Sequence, residues 1–268
     1  VWQPPSPLNC AAFYWLKSIL YTYICGCKGR TLDSTVKLTD NVILSCVYPG
    51  TGSINQVFWS KKANSTKARV AIFNRQYGVS VDKEYDGRLQ FRNASSSDLS
   101  IVIKKATVKD LGTYYCSVSA FPDGVWQKEI EVVKEVDFNG SRTVNTHIEV
   151  DVSHDATFRC QLSSTNKTEQ ITLERIRETH IDTIALCNLS HGKELGSDYR
   201  RRTVLNCTSA TESIFIIQNI TIEDGGTYRC HFIVNTGNQS FIIDLHINSG
   251  ILGRHFLLLL MGILGHYL

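Results

Sequence analysis

The residues of this chain with chemistry to do are its cysteines and a set of asparagines. Nine cysteines occur in 268 residues. Four share one interval: 70 residues separate Cys46 from Cys116 and also Cys160 from Cys230. The spacing predicts bridges Cys46–Cys116 and Cys160–Cys230, and hence an oxidising compartment. Of the other five, Cys10, Cys25 and Cys27 lie in the N-terminal stretch without a structural role, and for Cys187 and Cys207 a further bridge is the economical reading. A free pair or a zinc site is the alternative, although zinc needs more ligands at suitable spacing. Asn64, Asn93, Asn139, Asn166, Asn188, Asn219 and Asn238 each open an N-x-[ST] triplet without proline, the acceptor pattern for glycosylation on the outside of a secreted protein. Asn206 opens an eighth triplet, but it sits beside Cys207 and is set apart from the others.

Other chemistries lack their patterns. The chain contains no G-x-S-x-G elbow, Walker loop, H-E-x-x-H helix or C-x-x-C pair. His147, His154, His180 and His191 are scattered, with no i, i+4 pairing to suggest a metal. The sequence therefore predicts no enzyme, no cofactor and no metal site. Net charge is +3, from 28 basic and 25 acidic residues of mixed order. The nearest thing to a basic run, Arg200-Arg201-Arg202, reads as a solvated loop rather than a nucleic-acid patch.

The elements that must position the cysteines follow from their surroundings. Cys116 and Cys230 each close a D-x-G-x-Y-x-C run, Asp110–Cys116 and Asp224–Cys230. The glycine permits a corner, and the tyrosine can turn its hydroxyl back onto that corner. The cysteine then enters the core from the same strand face, since side chains alternate with period two. This is the tyrosine corner of an immunoglobulin sandwich, met twice in register. The fold class is all-β: two tandem immunoglobulin-like sandwiches, with a short apolar segment at the C-terminus.

Residues 31–134 read as a variable-type domain. Val42, Leu44 and Cys46 share one face of a B strand, and Trp59 follows Cys46 by 13 residues, where a C-strand indole packs on the bridge. Arg69–Phe73 and Gly78–Val81 supply the C′ and C″ strands, and Arg88 is placed to pair with Asp110. Residues 135–144 are polar and small, an inter-domain joint. Residues 145–248 form the second domain, with strands over Ala156–Cys160, Ile171–Ile176 and Ser213–Ile217, and Leu173 at the position of Trp59. Residues 1–30 read as a secretory leader or a mis-joined gene end. Residues 249–268 read as a truncated transmembrane segment or a lipid-anchor signal.

A surface remains. Strand parity puts Tyr115, Ser117 and Ser119 on the outer face of the first domain. Beyond them lies Phe121-Pro122-Asp123-Gly124, turn chemistry carrying an aromatic at its tip. Such a ring is costly in water without a partner, and buried aromatic anchors dominate interface energetics.

From about Leu44 to Ile247 the chain resembles the DNAX accessory molecule family, leukocyte activating receptors of the nectin- and poliovirus-receptor-binding immunoglobulin group. The likeness rests on Cys46-Val47-Tyr48-Pro49, Gln56-Val57, Ala71-Ile72-Phe73 with Gly78, Phe121-Pro122-Asp123-Gly124, Trp126-Gln127-Lys128 and Cys187–Gly192. The family's binding signatures fall on Asn55-Gln56, on Ala71 with Gly78, and on Phe121-Pro122 with Gly124. The resemblance implies an aromatic knob, Phe121, entering a partner pocket, and a reciprocal pocket here around Ala71, Phe73 and Gly78, with Gln56 and Tyr115 on the same face. It implies a receptor at the cell surface, or secreted, that binds nectin and poliovirus-receptor-like proteins and promotes lymphocyte and natural killer cell adhesion and cytotoxicity. Integrin association is implied by resemblance only. A soluble or lipid-anchored decoy and a homophilic nectin-like adhesion molecule are the alternatives. Ala120 stands where the family has threonine, and Asn55 where it often has serine or threonine.

Overall fold

The computed structural model describes residues 33–63, 66–92, 95–138, 143–162, 168–190, 192–209 and 211–248. Residues 1–30, read as a leader or a gene end, the C-terminal apolar segment, and Asn64, Asn93, Asn139 and Asn166 lie outside the described residues. The first domain contains β1 (Ser34–Lys37), β2 (Asn41–Leu44), β3 (Ser53–Ala63), β4 (Thr66–Asn74), β5 (Gly78–Val81), β6 (Leu89–Phe91), β7 (Ile101–Lys104), β8 (Gly112–Phe121) and β9 (Gly124–Val133). The second contains β10 (Thr146–Asp151), β11 (Ala156–Gln161), β12 (Thr168–Ile176), β13 (His180–Asn188), β14 (Gly192–Leu195), β15 (Thr203–Cys207), β16 (Glu212–Ile217), β17 (Gly226–Val234) and β18 (Gln239–Asn248).

Alternation builds both cores. On β8 Tyr114, Cys116 and Val118 are fully buried, while Ser117 and Ser119 face outward. Trp59 is fully buried directly opposite Cys116, and its indole Nε1 donates to Leu99 O at 3.0 Å. Leu173 occupies the matching place opposite Cys230, also without exposure. All three bridges are present: Cys46–Cys116, Cys160–Cys230 and Cys187–Cys207. The last joins β13 to β15 and decides the reading of that pair against a thiol pair or a zinc site.

The two corners are built alike. Tyr114 Oη donates to Asp110 O at 2.9 Å, and Tyr228 Oη to Asp224 O at 2.6 Å. Arg88 clasps Asp110 with two bonds, of 2.9 and 2.8 Å. Arg202 clasps Asp224 in the same way. The basic run is thus only partly a solvated loop. Arg200 is exposed, but Arg202 is the structural arginine of the second corner, and Arg201 reaches Asp123 of the first domain at 3.3 Å. Burial alone would push the carboxyls of Asp110 and Asp224 up. Their arginine partners and the backbone amides of Thr107 and Thr221 outweigh it and hold both below the ordinary range.

The two sandwiches share one sheet. In the order β10-β18-β17-β12-β13-β1-β9-β8-β3-β4-β5, with β14 alongside β13, twelve strands run through both domains. Behind it lie two three-stranded sheets, β2-β7-β6 and β11-β16-β15. The link is β1, which pairs parallel with β9 of its own domain and antiparallel with β13 of the second. The seam is polar and buried. Ser34 Oγ donates to Asp182 at 2.7 Å, and Lys128, 1% exposed, forms an ion pair with Asp198. Burial would lower the Lys128 ammonium, but Asp198, Asp182 and Asp33 raise it above its ordinary value, so it stays charged. His180 Nε2 lies 2.9 Å from Ile43 O, so the neutral ring donates there, and its Nδ1 lies 2.7 Å from Thr179 Oγ1.

Candidate functional site

The site is the end of the first domain's large sheet where the β8–β9 turn and the β4–β5 turn lie. Phe121 is 73% exposed at the last position of β8, and Val125 is 76% exposed on β9, opposite the outward Ser119. The Phe121–Pro122 peptide is cis, and Gly124 adopts φ 85°. Asp123 fixes the turn from below. Its carboxylate accepts from Tyr48 Oη at 2.6 Å, from the Gly52 amide at 3.4 Å and from Arg201 at 3.3 Å. The Tyr48 hydroxyl, ahead of the Gly52 amide and Arg201, holds the Asp123 carboxyl below the ordinary range. An aromatic that is free in water therefore stands on a tethered base.

On the other side of the same end, Gln56 Oε1 accepts from Asn74 Nδ2 at 3.2 Å. Asn74 Oδ1 in turn accepts from the amides of Gln76 and Tyr77, at 2.9 and 3.1 Å, and so shapes the β4–β5 turn. That turn exposes Tyr77 (81%) and Gly78, whose φ of 78° is a left-handed conformation that side chains disfavour. A Cβ added to Gly78 would meet nothing within 4 Å, so the space above it is open to an approaching surface.

The structure brings Gln56, Gly78, Phe121, Pro122 and Gly124 to this end. The others are placed differently. Ala71 faces inward opposite Trp59, with no exposed surface. Phe73 also faces inward opposite Val57, its ring 6.2 Å from Phe91, and it lines a cleft of about 490 Å³ with Tyr48, Ile54 and Arg75. Tyr115 is on the outer face but only 9% exposed, with the Lys67 ammonium 3.6 Å from its ring centroid. Sequence reading missed Asp123 as the organiser of the turn, and missed Val125 and Tyr77 as its exposed apolar neighbours. The Pro-Asp-Gly turn signal was available for the first. Strand parity was available for Val125.

Of the described asparagine acceptors, Asn206, Asn219 and Asn238 are exposed. Asn188 is half-buried, its Oδ1 accepting from the Ser190 amide at 2.9 Å. Among the described residues no helix is long and apolar enough to cross a membrane, and no three His, Cys, Asp or Glu side chains converge as metal ligands.

The sheet order, bridges and corners define a pair of V-type domains, and the chain belongs to the immunoglobulin V-set family, which matches residues 31–133 and 143–248. The second domain, read from sequence only as immunoglobulin-like, is thus variable-type as well, with β13 and β14 as its C′ and C″ strands. Over 238 residues the chain is 32% identical to CD226 antigen of Macaca mulatta, covering 88% of this chain and 70% of that one. That relative is the DNAX accessory molecule whose family the sequence resembles. Nectin-4 of Xenopus tropicalis is 32% identical over 112 residues, which are 40% of this chain and 21% of that one. A solved structure of murine CRIg shares 24% identity at a TM-score of 0.34, covering 39% of this chain and 97% of that one. The chain is an extracellular or cell-surface immunoglobulin receptor of the immune and adhesion kind.

Proposed function

We propose that the chain binds nectin or poliovirus-receptor-like proteins of an opposing cell through the Phe121 end of its first domain. In that role it promotes lymphocyte and natural killer cell adhesion and cytotoxicity. The observation that carries this reading is the 73% exposure of Phe121 on a turn tethered through Asp123. A large apolar ring held out to water on a fixed base is an anchor for a partner's pocket. The relatives support the partner class: one named CD226 antigen and one named Nectin-4. Gln56 and Gly78 form the receiving side, with Pro122 and Gly124 setting the turn. Ala71 and Phe73 support it from inside the sheet, and Tyr115 from the middle of the outer face. Glycans at the asparagine acceptors belong to the same cell-surface reading.

The test is binding of the chain to a panel of nectin and poliovirus-receptor-like ectodomains, with chain-coated beads as a control for self-association. Phe121→Ala is expected to weaken binding by about 2 kcal/mol, the loss of a hot-spot aromatic. Unchanged affinity would remove the knob. Aggregation of the beads without any panel binding would replace the heterophilic reading with a homophilic one.

A further inference from the structure

The edge of β9 that faces away from β8 is covered by two different elements. β1 covers this edge only from Ile130 to Val133. Above that point a segment of the second domain takes over, residues 196–202, between β14 and β15. Asp33 joins the two, its carboxylate accepting from the Glu129 amide at 2.7 Å and from the Ser197 amide at 2.8 Å. Ser197 Oγ then donates to Gln127 O at 3.0 Å, Lys128 forms its ion pair with Asp198, and Trp126 Nε1 donates to Ser197 O at 3.4 Å. The last rung is Arg201 on Asp123, inside the Phe121 turn. The contacts climb β9 from residue 129 to the docking tip.

The segment is fixed to its own domain. The Gly196 amide donates to Ile184 O at 2.9 Å, and a Cβ at Gly196 would lie 1.9 Å from Thr183 O, so only glycine allows this approach. Tyr199 is 4% exposed in the second core, and Arg202 is clasped by Asp224. A segment anchored this firmly transmits position rather than following a mobile turn.

We propose that residues 196–202 of the second domain are a positioning brace for the docking hairpin of the first. Ser197 and Arg201 set the pose of Phe121 without being part of the anchor itself. This rests on the docking reading above. Edge cover by a neighbouring element is a general need of an open strand. Here the cover ends on the carboxylate that shapes the binding turn. A two-domain chain would then present one rigid tip, with less ordering left to be done when a partner binds.

The test uses the full chain from a secretory host and the double variant S197A/R201A, with R201K as the conservative comparison. Amide hydrogen exchange over residues 119–127 and affinity for a panel ectodomain are read together. The brace expects faster exchange confined to that hairpin, an unchanged melting temperature, and binding roughly three- to tenfold weaker, the scale of one exposed ion pair and one hydrogen bond. R201K should recover most of the loss. Unchanged hairpin exchange would overturn the brace. So would unchanged affinity in the double variant of a chain whose binding Phe121→Ala weakens as expected. If Phe121→Ala leaves binding intact, the docking reading has failed, and the exchange result still decides the brace.

Discussion

The two domains share a frame and differ at the tip. Each has a core bridge that ends on the strand after the corner, β8 or β17, a tyrosine hydroxyl on the corner carbonyl, and an arginine clasping the corner aspartate. Each corner also carries a capping box, Thr107 with Asp110 and Thr221 with Asp224. At the turn before the last strand the likeness ends. The first domain presents Phe121-Pro122-Asp123-Gly124, and the second presents Asn235-Thr236-Gly237-Asn238, all exposed and containing a glycosylation acceptor. At the neighbouring hairpin the first domain has Tyr77-Gly78, whereas the second has Asn188-Leu189-Ser190, again an acceptor. A sugar at either place would cover the surface that corresponds to the docking end. The frame specifies the fold twice; under the proposed function only the first domain's tip carries a docking anchor.

The largest effect should come from the shared frame and be equal in both domains. Asp110→Ala and Asp224→Ala each remove a carboxylate that satisfies an arginine and a backbone amide at once. Each is expected to cost about 3 kcal/mol in denaturant unfolding, toward the lower end for a broken buried pair because the arginines are part-exposed. A large inequality would show that the corners are not equivalent.

Acid should separate the seam from the corners. Burial, outweighing the Ile43 carbonyl and Asp182, lowers the His180 pKa, and Arg177 and Lys128 add to that lowering. Its neutral form is thus the folded one, and its contribution is full above 6.5 and lost as pH falls from there through the folded value. Asp110 and Asp224 are held below their ordinary 3.8, so their contribution persists to lower pH and disappears only as pH falls through their folded values. Thermal melting against pH should show the seam weakening first. His180→Gln, which can still donate to Ile43 O, should shrink the first step, leaving the part due to His231, whose pKa burial also lowers, and should leave the second step unchanged. The smallest effect belongs to the second tip: Asn188→Gln should lose one glycan by mass and leave partner affinity within about twofold, as for a residue outside the binding centre.

Much of this was legible because its signals are local. The D-x-G-x-Y-x-C runs, Trp59 at 13 residues from Cys46, and the C″ strand at Gly78–Val81 all came from periodicity and spacing within one domain. The second clasp was present too, since Arg202 precedes Asp224 by the same 22 residues that separate Arg88 from Asp110. Its place in a run of three arginines masked it. The shared sheet was not legible. The pairing of Ser34 with Asp182 joins residues 148 apart, and no local pattern encodes the register of two domains. Ala71 and Phe73 show a related limit: a family signature marks positions, but only strand pairing shows that both side chains face inward.

The most direct measurement compares the two tips in one experiment. Phe121→Ala and Asn238→Gln chains would be tested beside the parent against a nectin or poliovirus-receptor-like ectodomain that the parent binds. Loss on the order of 30-fold for Phe121→Ala, with Asn238→Gln unchanged, is the expected result. Equal binding by all three chains, or loss at the second tip alone, would contradict the assignment of docking to the first domain.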